Sequence, residues 1–204
     1  MKTLAAICLL GAALLLQGCE LLLLGGGGAA AVTAIEDRRT SGTIIDDDNI
    51  ETRVRRAVRE QYGENTRVNV TSFNRTVLLT GEVPSDARRA EVEKIVLENA
   101  NVRGVTNDLQ IGAPTSLGTR ASDSLITTRV KGRLIDAGKV NPVHVKVLTE
   151  SGVVYLLGVV TEAEADEAVE IARTTSGVMK VVKVFEYCKS GDVMCPPRAP
   201  AEKQ

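Results

Sequence analysis

Residues 50–54 read IETRV and residues 126–130 read ITTRV, while residues 68–83, VNVTSFNRTVLLTGEV, are answered by residues 145–160, VKVLTESGVVYLLGVV. In the first pair Ile50, Thr52, Arg53 and Val54 return as Ile126, Thr128, Arg129 and Val130 at an offset of 76. In the second, Val68, Val70, Val77, Leu79, Gly81 and Val83 return as Val145, Val147, Val154, Leu156, Gly158 and Val160 at an offset of 77. Val102 and Val105 then match Val178 and Val181 at 76 again, so one residue of loop variation separates two copies of one module.

Each copy runs through the same patterns. Ile50, Val54 and Val58, or Ile126, Val130 and Leu134, are spaced by four and form one apolar face of a helix. Two short β-branched runs follow, residues 67–71 and 76–80, or 143–148 and 153–157. Turn residues Asn74 and Ser151-Gly152 lie between them, which predicts an antiparallel hairpin. Gly81 and Gly158 sit where the second strand ends, and we read them as structural glycines, set there by an unusual backbone angle or by close packing. A second helix is expected over residues 85–99 and 162–175, the latter opening on the capping box Thr161-x-x-Glu164, and a last strand over 104–111 and 178–187. The fold class is therefore α+β, as two tandem αββαβ modules. A right-handed strand–helix–strand crossover makes the third strand parallel to the second, giving a three-stranded mixed sheet with two helices on one face. Modules of about 65 residues are small for autonomous cores, so the two are expected to dock on each other.

Ahead of the repeat stands a different kind of sequence. Met1-Lys2 is followed by an apolar run from Leu4 to Leu16 and then by Leu16-Gln17-Gly18-Cys19. A basic start, a short hydrophobic stretch and small residues before a cut describe a secretory signal, too short for an ordinary membrane span. The Leu-x-Gly-Cys ending resembles the bacterial lipobox, which implies cleavage before Cys19 and acylation of its thiol and new amino terminus. Several acyl chains give stable anchoring where one does not. Glu20, in place of the Asp that signals inner-membrane retention, favours the outer membrane. Residues 20–35, ELLLLGGGGAAAVTAI, are apolar but contain four consecutive glycines, so a membrane-interface segment and a flexible spacer are both open readings. The expected boundaries are 1–18 signal, 19–47 lipidated terminus and tether, 48–112 first module, 113–121 linker, 122–188 second module and 189–204 tail.

Composition excludes several function classes. With 44% hydrophobic residues, the chain is not disordered, and Lys+Arg 25 against Asp+Glu 26 leaves no bulk positive charge for nucleic acid. Basic patches without interleaved aromatics also argue against single-stranded nucleic acid. No Gly-rich phosphate loop follows a strand and no nucleophile–base set assembles around His144, the one histidine, so no catalytic residue, metal site or cofactor is assigned. His144 alternates with Val143 and Val145 and is expected to face solvent. The sequon Asn69-Val70-Thr71 is a chance match in a bacterial chain. Cys188 and Cys195 remain once the signal and the lipidated Cys19 are set aside; in an oxidising envelope they can close a disulfide loop, with free thiols and metal ligation as the other readings.

Two αββαβ modules with Ile-x-Thr-Arg-Val first helices and Val-x-Leu-x-Gly-x-Val second strands, behind a lipobox, resemble the dual BON-domain outer-membrane lipoproteins. The resemblance covers the chain to about Tyr187, and is most specific over residues 122–130 and 153–162. It implies a lipid-anchored protein of the outer membrane facing the periplasm. Such a protein binds anionic phospholipids such as phosphatidylglycerol and cardiolipin through the first helix of its second module, gathers at division sites and supports envelope integrity. Family members carry an aromatic residue where this chain has Leu125, and the tail after Tyr187 with its two cysteines departs from the pattern.

The residues support a lipid surface on their own terms. Four Arg stand against two Glu over residues 51–60, and four basic against two acidic residues over 123–139, whereas 162–173 carries Glu162, Glu164, Asp166, Glu167 and Glu170 against Arg173. At 100° per residue, Ile126, Val130 and Leu134 point to the core. Leu125, Thr128, Arg129 and Gly132 then lie on the opposite side, flanked by Lys131 and Arg133. A leucine bordered by cations is what a peripheral contact with an anionic bilayer requires. The opposing class is a protein-interaction module, in which exposed sheet faces or the edge strand 178–187 engage an envelope protein such as the outer-membrane assembly machinery.

Overall fold

Two polar residues that hydrophobic periodicity passes over, Thr43 and Asp47, extend the first helical face backwards from Ile50, Val54 and Val58. In the computed structural model, which describes residues 37–63 and 66–195, all five are buried on one face of α1, Ser41–Tyr62. Thr40 caps it, its hydroxyl accepting from the Thr43 N–H at 3.1 Å. The helix thus begins inside the stretch read as tether. The signal, Cys19 and the end of the tail from Pro196 lie outside the described residues.

After α1 come β1 (Arg67–Phe73), β2 (Thr76–Val83), α2 (Asp86–Leu97), β3 (Gly104–Asn107) and β4 (Gln110–Ile111). The second copy repeats them as α3 (Leu117–Ala137), a 3-10 turn at Pro142–His144, β5 (Val145–Glu150), β6 (Val153–Val160), α4 (Glu162–Arg173) and β7 (Lys180–Tyr187). α3 is capped by Ser116 and its buried face starts at Asp123, the counterpart of Asp47, so its first turn lies within the stretch read as linker. β1 and β2 are antiparallel and β3 and β4 both run parallel to β2; β5, β6 and β7 repeat that order. The third strand of the first module is split because Leu109 drops into the core while the Asp108 N–H bonds the Leu79 carbonyl at 2.9 Å. The mixed three-stranded sheets with two helices on one face are those the repeat predicts.

Asp47 and Asp123 explain how helix and hairpin are locked together. Both hairpins turn through two residues with positive φ, Asn74 and Arg75 in one and Ser151 and Gly152 in the other, the geometry that suits the strand twist. In the first module the Asp47 carboxylate accepts the N–H groups of Asn74 and Arg75 at 2.9 and 2.7 Å. In the second, Asp123 accepts those of Ser151 and Gly152 at 2.9 and 2.8 Å. A buried carboxylate on the helix thereby satisfies turn donors that would otherwise be orphaned. The glycines follow the same logic of close approach. A Cβ on Gly81, at φ 112°, or on Gly158 would press on the carbonyl oxygen of Arg67 or His144 respectively. Gly158 is thus a packing requirement alone, and Gly81 is both a packing and a backbone one.

Strand alternation then builds three cores. Val77, Leu79 and Val83 face Ile50, Val54, Val92 and Val96, and Val154, Leu156 and Val160 face Ile126, Val130, Leu134 and Ala168. The alternate residues point to the other side of each sheet. There Phe73 and Leu78 of the first module join Tyr155, Leu157 and Val159 of the second in one buried cluster. The modules dock through their sheet faces, so those faces are not the exposed surfaces that sequence reading offered to a protein partner. Burying each such side chain contributes about 1.5–3 kcal/mol. Polar contacts frame the joint: Arg67 reaches Glu150 at 2.6 Å and Glu82 at 3.1 Å, and Lys146 reaches Glu51 at 2.9 Å. Tyr155 donates to Asp108 at 2.6 Å, and burial together with that carboxylate holds its phenol protonated well above the ordinary range. Asn69 of the sequon donates to Glu150 at 2.7 Å within this frame.

His144 also departs from expectation. The 3-10 turn breaks the strand alternation, and its side chain is largely buried with Nδ1 3.7 Å from Glu164. Glu164 in turn receives a two-pronged contact from Arg38 at 2.7 and 3.0 Å. Burial works against ionisation of this carboxyl, but the neighbouring His144 imidazole together with hydrogen bonds from Arg38 and the Thr161 N–H outweighs it and holds the group well below its ordinary value.

Candidate functional site on the first helix of the second module

α3 has one face committed to the core and the opposite face uncovered. Leu117, Leu125 and Ile135 on that side are 76%, 57% and 60% exposed. At 1.5 Å per residue the three span about 27 Å along the axis. Ala121, Thr128 and Gly132 fill the intervening positions with small groups, and the Thr128 hydroxyl is satisfied inside the helix by the Ser124 carbonyl at 2.9 Å. A Cβ at Gly132 would meet nothing within 4 Å, so packing does not demand a glycine there. Sequence reading found Leu125, Thr128 and Gly132 but missed Leu117 and Ile135. Their steps of eight and ten from Leu125 carry the signal, which becomes legible only once the helix is known to start at Leu117.

The charges around this stripe separate into free and committed. Arg129 and Lys131 are exposed and have no acidic partner among the described residues. Arg133 is committed elsewhere. Its Nη1 donates to the Ile171 carbonyl and the Thr175 hydroxyl, both at 2.8 Å, and to the Thr174 hydroxyl at 3.1 Å, fastening α3 to the end of α4. It borders the stripe as a charge held in place. α1 differs in part, since there Arg53 has no acidic partner among the described residues and donates to the Ala100 carbonyl at 3.4 Å. Arg55 pairs with Glu51 at 3.2 Å and Arg56 with Glu60 at 2.7 Å within the helix, and Ile45 is its one large hydrophobic residue that is well exposed. Equal charge counts in the two first helices therefore conceal an unequal surface. Electrostatically, α3 offers cations that are not neutralised in situ beside an apolar ridge, the combination that approaches phosphate oxygens and acyl chains together.

The remaining sequence-named residues lie elsewhere. Gly81 and Gly158 are inside the sheets. Cys188 and Cys195 come together beyond β7 with Cα atoms 6.1 Å apart, a span that a disulfide bridges, and close a loop that leaves Val193 fully exposed. Among the described residues, no helix is long and apolar enough to cross a membrane.

With repeat, sheet order and surface in hand, the class follows. The BON domain family model matches residues 46–113 and again 122–189, and the chain belongs to the BON-domain family, with two copies in tandem. Among curated proteins it is 41% identical over 181 residues to the outer membrane lipoprotein DolP of Haemophilus influenzae, covering 88% of this chain and 93% of that protein. It is 36% identical over 150 residues to a 21 kDa hemolysin of Actinobacillus pleuropneumoniae, covering 72% of this chain and 77% of that one. A third relative, the osmotically-inducible protein Y of Escherichia coli K12, is 31% identical, covering 69% of this chain and 72% of its own length.

Proposed function

We propose that this protein is a non-enzymatic outer-membrane lipoprotein that holds anionic phospholipid against α3 and thereby supports envelope integrity. The observation that carries the reading is the apolar ridge Leu117–Leu125–Ile135 bordered by Arg129 and Lys131, cations with no acidic partner among the described residues. The lipobox-like Leu16-Gln17-Gly18-Cys19 and the likeness to an outer membrane lipoprotein support acylation at Cys19 and a periplasm-facing anchor in that membrane. Each basic contact near an anionic surface contributes about 1 kcal/mol and is screened by salt. Such contacts alone are weak, and anchoring at Cys19 raises the local concentration of α3 at the bilayer. Leu125 in place of an aromatic residue gives shallower insertion, which the added length of the ridge offsets in part. Phosphatidylglycerol and cardiolipin fit the charge equally well, and division sites are where such lipid would gather the protein.

All three hydrophobic clusters lie between Arg38 and Cys195, so a soluble chain starting at Arg38 retains every core. The test is cosedimentation of that chain with phosphatidylglycerol vesicles. Leu125→Asp with Arg129→Glu is expected to abolish binding while the circular dichroism spectrum stays unchanged; undiminished cosedimentation by the folded double variant would falsify the proposal. A second reading, binding to an envelope protein such as the outer-membrane assembly machinery, rests on β7. Its eight residues pair only with β6 among the described residues, leaving a long free edge. A partner that is retained equally by the lipid-binding-deficient variant would favour it.

A further inference from the structure

A cleft of about 580 Å³ opens between the modules, with β1 and β5 as its floor and the facing flanks of α1 and α3 as its walls. Neither module builds it alone. Three carboxylates line it, and all three are already engaged. Glu51 accepts from Lys146 at 2.9 Å, Arg55 at 3.2 Å and the Ser72 N–H at 2.9 Å. Glu150 is held by Arg67 and Asn69, and Asp123 by the two N–H groups of the β5–β6 turn. The cations are not used up in the same way. Arg67 is spent on Glu82 and Glu150, but Arg120 has no acidic partner among the described residues, and the side chains of Arg55 and Lys146 are 52% and 41% exposed, Lys146 donating to Glu51 and, at 3.3 Å, to the Ser72 carbonyl. A guanidinium carries five donors, of which Glu51 takes a single one from Arg55. The lining is therefore rich in unspent donors and poor in open acceptors, which selects an anion with several oxygens.

We propose that this cleft is an anion site separate from the α3 ridge, taking a glycerophosphate group. Arg55, Arg120 and Lys146 hold its phosphate, and the hydroxyls of Thr71 and Thr149 face its glycerol oxygens. The volume lies in the range of small-ligand pockets and exceeds what a bare phosphate fills. Thr71 makes no hydrogen bond through its hydroxyl among the described residues, and Thr149, which accepts from Thr127 at 2.8 Å, keeps its own proton to donate. The group can arrive as a soluble glycerophosphate or as the headgroup of a phospholipid. This proposal does not rest on the membrane reading, because a soluble ligand would enter with no bilayer present.

The experiment is an NMR titration of the 15N-labelled chain from Arg38 with three probes: glycerol 3-phosphate, short-chain phosphatidylglycerol and inorganic phosphate. Saturable, salt-sensitive shifts at Asn69, Thr71, Ser124, Thr127 and Thr149 are expected. Arg55→Gln with Arg120→Gln should weaken the binding about thirtyfold. Arg56→Gln with Arg89→Gln removes the same charge outside the cleft and is expected to leave it unchanged. Response to glycerol 3-phosphate identifies a soluble source, and response to the lipid alone identifies a headgroup; either sustains the site. Absence of shifts with both, equal affinity for inorganic phosphate, or equal loss in the two double variants overturns it.

Discussion

Asp123→Asn tests how the candidate surface is held in place. Asp123 is 5% exposed and its two carboxylate oxygens each accept one turn N–H, from Ser151 at 2.9 Å and Gly152 at 2.8 Å. The amide has the same shape but a single acceptor, so its NH2 group must confront one of those donors. Loss of one charge-assisted bond costs about 1.5–3 kcal/mol, and an unpaired buried N–H costs about 1–3 kcal/mol. The two costs overlap, which puts the substitution at about 2–4 kcal/mol. For a protein of this size that lowers Tm by roughly 5–15 °C. Asp47→Asn should cost more, because Asp47 also takes the Ser72 hydroxyl at 2.6 Å and Arg39 at 3.0 Å. Urea unfolding of the chain from Arg38, followed by circular dichroism, measures both. A change within about 0.5 kcal/mol for Asp123→Asn, the range of an ordinary surface substitution, would refute the clamp.

The glycines give a paired test. Gly158→Ala drives a Cβ into the His144 carbonyl and is expected to destabilise by about 1–3 kcal/mol, whereas Gly132→Ala meets nothing within 4 Å and should stabilise by about 1 kcal/mol through helix propensity. Equal effects in thermal denaturation would sink that distinction. Glu164 predicts a pH dependence. Its folded carboxyl lies below the ordinary value of 4.5, so its contribution is complete above that pH and is lost as pH falls beneath it. Glu164→Gln should therefore flatten the acid limb of the stability curve, and parallel curves for the two proteins would contradict the assignment. For the tail, a disulfide predicts that the chain from Arg38 reacts with alkylating reagent only after reduction; two modified thiols in the native protein, seen by mass spectrometry, would show the pair to be free.

The β-branched alternation and the two glycines made the hairpins legible in sequence, and the offset of 76 to 77 made the tandem architecture legible with them. Helix starts were less so. Asp47 and Asp123 are buried carboxylates whose role depends on hairpin turns 27 to 29 residues away, and no local apolar pattern marks them. His144 misled because the strand was read from Val143 onwards, whereas the chain is still in the 3-10 turn Pro142–His144 there and the strand begins at Val145. The α3 surface was half legible. Helical geometry placed Leu125, Thr128 and Gly132 on the outer side, but Leu117 fell in what read as linker. The capture of Arg133 by the end of α4 and the pairing of Arg55 and Arg56 with glutamates of α1 are tertiary and rotameric facts that spacing alone does not carry.

The proposed function requires that α3, and not α1, meets the bilayer. An environment-sensitive fluorophore attached at Leu125→Cys reads this directly in the chain from Arg38, with the same label at Arg56→Cys on α1 as its counterpart. A blue shift at position 125 is expected on adding phosphatidylglycerol vesicles, with little change in phosphatidylcholine, reversal by salt and no shift at position 56. Equal shifts at both positions, or none at 125 under conditions where the protein cosediments, would contradict it.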